Sequence, residues 1–174
     1  MSLWKNFWGH LGTILHHKKL VRRYLFRAGL YKQGIMHDWS KYSPVEFFAG
    51  VKYYQGGKKS PNHKEKLEKG YSGAWLHHQG RNKHHWQYWM EFFSGGVMVN
   101  EVPKKYIKEM VADRIAACMV YQKDKYHPSS ALEFLDNGSE KDFMPPETLK
   151  TLRKYLTWVA ENDLDKALEM VKND

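Results

Sequence analysis

The chain has 174 residues, 42% of them apolar and 15% aromatic, which is enough material for one self-supporting core. Its single cysteine, Cys118, excludes an internal disulfide framework and suits a reducing cytoplasm. No leader pattern opens the chain and no apolar run approaches the roughly eighteen residues of a membrane span, so neither an exported nor a spanning protein is expected. A formal charge of +9 favours phosphate-bearing partners, whether nucleotides, nucleic acid or an anionic surface, without choosing among them.

Apolar residues recur three and four apart along the chain, and alternating Val, Ile and Thr are few, so an all-α fold is expected. A first helix is predicted from Leu3 to Ala28, with Trp4, Phe7, Trp8, Leu11, Ile14, Leu15 and Leu20 on its core side and Gly29 as its left-handed terminator. A short second helix, 31–39, is expected to carry His37 and Asp38. Ser43-Pro44-Val45-Glu46 is a complete start signal, with Ser43 as N-cap, Pro44 in the first turn and Glu46 reaching back as a capping box. It opens a third helix through Phe47, Phe48, Val51 and Tyr54. Residues 55–62 read as a loop, and the basic segment beyond it as a frayed helix or mobile chain.

The stretch Ala74 to Phe93 reads as helical, Gly80 and Asn82 leaving open whether it is one helix or two, and Ser94-Gly95-Gly96 ends it. Pro103 starts a helix over 104–122 whose buried stripe is Tyr106, Met110, Ile115 and Met119. A short helix at 130–135, a turn at Asp136-Asn137-Gly138, a helix at 146–161 and a last one from Leu164 complete the chain. No repeat, low-complexity tract or linker interrupts it, so residues 1–174 are expected to form a single compact helical domain, with a motif-bearing core at about 13–122 and C-terminal helices in 129–174.

Most of the ten histidines fall in three clusters, His16-His17, His37-Asp38 and His77-His78-Gln79-Gly80-Arg81-Asn82-Lys83-His84-His85. Imidazole and carboxylate suit one or two divalent transition ions such as Fe, Mn, Ni or Zn, and no thiolate set competes. Helical neighbours project about 100° apart, so His37 and Asp38 reach one ion only where ligand directions converge and other helices supply the rest. His17 and Asp113 are placed to complete a four-ligand set. His17 lies with Ile14, Leu20 and Val21 on the apolar side, whereas His16 keeps company with Thr13 and Lys19.

In the third cluster the pairs His77/His84 and His78/His85 share a face on an unbroken helix; His78, His85 and His84 are the preferred site residues and His77 is placed outward. A break at Asn82, a competent N-cap, would undo that argument. His10, His63 and His127 read as structural or solvated. Trp39, Trp75, Trp86 and Trp89 flank the motifs and read as large core fillers that stiffen the ligand-bearing elements. Lys41 and Arg81 are cations beside such a site, suited to grip a phosphoryl oxygen or to pair with a carboxylate such as Glu46. The basic runs 18–27 and 58–69 read as a solvated helix face and a solvated loop.

The order His17, His37-Asp38, Asp113 resembles that of the HD superfamily of metal-dependent phosphohydrolases, and His37-Asp38-Trp39-Ser40-Lys41 has the HDxxK form frequent there. A fork of that superfamily adds histidines before the last Asp and holds two metals; His78, His84 and His85 sit where those would be expected. More closely, the segments 36–47, 74–89 and 109–113 look like a bacterial and phage family of unassigned function, over roughly residues 13–122, with the tail after Tyr121 outside it or at best weakly inside.

The HD resemblance implies a cytoplasmic, HD-like domain in which His17, His37, Asp38 and Asp113 hold a metal that activates water. His78, His84 and His85 would serve a second ion, and Lys41, with Arg81 and the ligand Asp38, would complete the catalytic set. The substrate would be a nucleotide or another small phosphate ester. The same ligand types permit di-iron oxygen chemistry, and a third reading is a non-enzymatic basic protein with a structural metal, associated with nucleic acid. Interfacial membrane binding by the Trp-rich first helix is disfavoured, because its apolar stripe is needed for the core.

Overall fold

A computed structural model describes residues 2–174, and its described residues form nine α-helices and one two-stranded hairpin. Helix α1 (Leu3–Arg27) is started by Ser2, whose hydroxyl accepts the Lys5 amide at 3.3 Å, and is closed at Gly29, where φ of +76° suits glycine. Then follow α2 (Tyr31–Met36), α3 (Pro44–Lys52), α4 (Pro61–Lys69) and α5 (Gly73–Arg81). The hairpin β1 (Met90–Phe93) and β2 (Gly96–Val99) is antiparallel, with Met90 opposite Val99 and Phe93 opposite Gly96. The chain ends with α6 (Lys104–Gln122), α7 (Ser130–Asn137), α8 (Pro146–Glu161) and α9 (Leu164–Asn173).

Helix α6 is the axis of the molecule. It buries Ile107, Met110, Val111, Ile115 and Ala116 against Val21, Tyr24 and Leu25 of α1 on one flank and Leu152, Tyr155 and Leu156 of α8 on another. Leu135 of α7 and Leu168 and Val171 of α9 close the far end. The predicted stripe holds for Met110 and Ile115, while Tyr106 and Met119 are only half-buried, because a central helix has no single core face.

At the other end α3 leans on α1 through two glycines. A Cβ at Gly50 would stand 2.0 Å from His10 Nε2, and one at Gly9 would stand 2.5 Å from the Tyr54 ring. Buried Glu65 of α4 receives the Ser72 hydroxyl (2.7 Å) and the Ala74 amide (3.4 Å), so it satisfies the first turn of α5, where Ser72 also accepts the Trp75 amide.

Several expectations are corrected. On α1 the buried residues are His10, Ile14, His17, Val21, Tyr24 and Leu25, while Trp4, Trp8 and Leu15 face outward; two apolar stripes run along this helix, and periodicity alone does not say which is buried. Helix α2 stops at Met36, so His37 and Asp38 are not helical. The helix expected over 74–93 ends at Arg81, because the Asn82 side chain donates to the His78 carbonyl (2.8 Å) and Asn82 itself is extended; a 3₁₀ turn and the hairpin follow. The basic segment beyond the loop is the helix α4, and Asp136-Asn137 belongs to the last turn of α7, not to a free turn.

Candidate metal centre

His37 is extended (φ −51°, ψ 129°) and Asp38 is left-handed (φ 54°, ψ 35°), and this reversal turns both neighbouring side chains inward, which a helix does not allow. Lys18 of α1 braces the turn: its ammonium donates to the His37 carbonyl at 2.5 Å and lies 5.3 Å and 5.1 Å from the ring centres of Trp39 and Tyr42. Facing this turn are His17 of α1, Asp113 of α6, His78 of α5, and His84 and His85 of the segment that leaves α5.

The donor atoms form two sets, His17, His37, Asp38 and Asp113 in one, and His78, His84 and His85 in the other, and a third grouping, His37, His84 and Glu109, draws on both. In the first, Asp113 Oδ1 lies 2.9 Å from His17 Nε2 and 3.4 Å from His37 Nε2, and Asp38 Oδ2 lies 3.2 Å from His37 Nε2 and 3.8 Å from His17 Nε2. The other oxygen of Asp38 faces the second set, 3.4 Å from Nε2 of both His78 and His84. One carboxylate therefore stands between the two.

Asp38 Oδ1 and the Nε2 atoms of His17, His37, His84 and His85 are buried without a hydrogen bond, and Asp38 Oδ2 is buried beside the Lys41 ammonium. Their mutual distances are short, yet the atoms are not aligned as donor and acceptor; they converge on the space between them. Ligands about 2.1 Å from a common ion stand roughly 3.0 to 3.4 Å apart, and these spacings straddle that range. Orphaned buried polar groups are costly, and a divalent ion at each set would satisfy them together, so the residues present fit a metal.

Residues 6–158 match the model of a family of unknown function, DUF5662. The chain belongs to this family. No HD family is matched, and no curated protein and no solved structure matches the chain. The DUF5662 match runs through α7 and most of α8, so the tail after Tyr121 is matched as far as Trp158, and every candidate ligand lies within the matched span.

Behind the candidate ligands stand two glutamates that the sequence did not single out for this role. Glu109 Oε1 accepts from Nδ1 of His37 (2.9 Å) and lies 3.1 Å from Nδ1 of His84, and Glu46 accepts from Nδ1 of His78 and of His77, both at 2.7 Å. Each carboxylate fixes a tautomer that leaves Nε2 free to ligate. His77, expected to point outward, is thus half-buried and tied to Glu46; with α5 broken at Asn82, the shared-face argument for His77/His84 and His78/His85 does not apply.

Glu46 does not reach back as a capping box either, since Ser43 alone caps α3. Glu109 had a legible signal, one helical turn before Asp113 on the same helix.

Burial, with Lys41 nearby, lowers His17 to about 4, and burial with His84 and His78 lowers His85 well below the ordinary range, so both stay neutral. For His37 burial pulls downward, but Asp38, Asp113 and Glu109 outweigh it and hold the ring well above its usual value, so an ion entering there displaces a proton. Burial raises Asp38, yet His37, Lys41 and His78 hold it well below the usual carboxylate range; His17 and His37 do the same for Asp113.

Lys41 pairs with Asp38 Oδ2 at 2.5 Å and not with Glu46, and this partner keeps its ammonium charged despite burial. Arg81 is exposed at the end of α5 and makes none of the cluster's polar contacts. Of the flanking tryptophans, Trp86 is buried and Trp75 stacks on His78 with ring centres 5.4 Å apart, whereas Trp39 is exposed on the outer side of its turn and is no core filler. His16, His63 and His127 are exposed, and His10 is buried against Gly50, Phe47 and Tyr54.

Proposed function

We propose that this DUF5662 protein is a metal-dependent phosphohydrolase of HD type, acting on a nucleotide or another small phosphate ester through a two-ion centre. The observation that carries the reading is the placement of Asp38, one oxygen toward His17 and His37 and the other toward His78 and His84. His17, His37, Asp38 and Asp113 would hold one ion, and His78, His84 and His85, with the second Asp38 oxygen, the other. When bound, such ions lower the pKa of a coordinated water toward neutrality and polarise a phosphoryl oxygen.

The chain's own residues supply the rest. Glu109 and Glu46 orient the imidazoles, and the left-handed turn at Asp38 fixes the shared carboxylate. Lys41 keeps 28% of its side chain exposed beside Asp38, so its ammonium can leave that oxygen for a phosphoryl oxygen and stabilise the charge that grows there. Arg81, being exposed at the rim, serves at most to steer an anion inward.

The test is a screen of nucleotides and simple phosphate esters against the protein loaded with Mn, Ni, Zn or Fe, followed by Lys41→Met on any hit. The variant should keep its metal and its melting temperature and lose most turnover, since the charge acts on the transition state. No turnover by metal-loaded wild type across the panel would overturn the reading, and oxygen consumption by the iron form would replace it with the oxygenase reading that the same ligand types permit.

A further inference from the structure

Among residues 1–45 there are eight Lys or Arg and one acidic residue, Asp38, which is buried, so every formal side-chain charge this quarter of the chain presents to solvent is positive. The same quarter exposes large apolar side chains. On α1, Trp4 (70% exposed), Trp8, Leu15 and Phe26 follow one another at helical spacing along the side away from the core.

Contacts carry this ridge onto the neighbouring elements. Lys18 lies over Trp39 and Tyr42, the Trp39 indole donates to the Ile35 carbonyl of α2, and Phe26 packs on Tyr31 at 5.3 Å. Ile35, Met36 and Trp39 are each more than half exposed, and no helix is long and apolar enough to cross a membrane. Of the stripe expected to be spent on the core, Trp4, Trp8 and Leu15 are thus free, since His10, Ile14, His17 and Val21 fill the core side of the helix.

We propose that this face, the outer side of α1 with α2 and the Trp39–Tyr42 turn, docks the protein on an anionic phospholipid surface. Trp and Tyr rings favour the headgroup boundary, the aliphatic Leu15, Ile35 and Met36 enter the acyl edge, and Lys19, Arg22 and Arg23 meet the lipid phosphates. A second copy of the chain is a poor occupant, because it would bring the same uncompensated positive charges face to face. Nucleic acid shares the charge but not the aliphatic component, which has no base to stack on.

The experiment is flotation of the full chain with vesicles of phosphatidylcholine alone and of phosphatidylcholine mixed equally with phosphatidylglycerol. The protein should float with the mixed vesicles only, and less as salt rises. Trp4→Ser with Trp8→Ser, and separately Lys19→Glu with Arg23→Glu, should each lower the bound fraction by about tenfold or more, while circular dichroism stays unchanged. Phe134→Ser, at an exposed apolar position on α7, should leave flotation intact. Protein that stays in the aqueous fraction at low salt overturns the proposal. So does flotation that the Trp4/Trp8 variant does not weaken, or retention on a DNA or RNA oligonucleotide without flotation.

Discussion

Replacing Asp38 with Asn tests the shared carboxylate directly, because Asn tolerates the left-handed backbone at φ 54° and changes little but the charge and one ligand atom. An ion bound only by the folded state at 100 times its dissociation constant stabilises by about 2.7 kcal/mol. For 174 residues the unfolding entropy is about 0.37 kcal/mol/K, so one ion raises the melting temperature by about 7 °C and two by about 15 °C. Wild type should carry two ions per chain by elemental analysis and show the larger shift between chelated and metal-loaded samples. His17→Ala and His85→Ala should each keep about one ion and half the shift.

Asp38→Asn, which weakens both sites at once, should carry less than one ion and shift by no more than about 3 °C. Differential scanning with and without chelator cancels whatever the substitution does to the metal-free fold. An Asp38→Asn protein that retains both ions and the full shift would refute the bridging arrangement.

Glu109→Gln should weaken the first ion's binding ten- to a hundredfold by calorimetric titration, an order-of-magnitude effect of losing the acceptor behind His37, while Glu46→Gln should act on the second ion alone. Gly50→Ala should lower stability in urea by about 1 to 3 kcal/mol, since its Cβ overlaps the His10 ring, and His10→Ala in the same chain should recover part of it; equal losses in single and double variants would count against this contact. Burial and Lys41 depress His10 to about 4 from 6.5, so the unfolded chain takes the proton first as pH falls. The stability this contributes is complete above about pH 6.5, is lost toward pH 4 and is about 2 kcal/mol lower by pH 5. Under chelator, wild type should therefore lose about that much more between pH 7 and 5 than His10→Gln, as read by urea unfolding.

Much of the helical frame was legible where local chemistry and packing agree. Ser43-Pro44 and Gly29 act at α3 and α1 as their residue types require, and α6 runs over the span its periodicity marks. Asn82 marks the opposite case: a residue able to start a helix ends one here, because its side chain captures the His78 carbonyl. The aromatic run 86–93 suits helix and strand alike, and the Gly95-Gly96 turn settled it as a hairpin.

Of the candidate ligands, His17, His37, Asp38, His78, His84, His85 and Asp113 come together as their types and order suggest. Glu46 was hidden because a glutamate in a helix looks like surface until the histidine it faces is known, and Glu109 was marked only by its place one helical turn before Asp113. Lys18 was hidden inside a basic run that reads as solvated, although it alone reaches back to the His37 carbonyl.

Trp75 gives the centre an optical reporter. Its ring stacks on His78 at 20° and meets His85 edge-on with ring centres 5.0 Å apart, so its emission should respond to an ion bound by those two imidazoles. Iron, nickel or another open-shell ion bound there would quench it, whereas zinc, with a closed shell, would leave it largely lit. Comparing wild type with Trp75→Phe isolates this signal from the other six tryptophans, and turns metal loading into a fluorescence titration that needs no substrate.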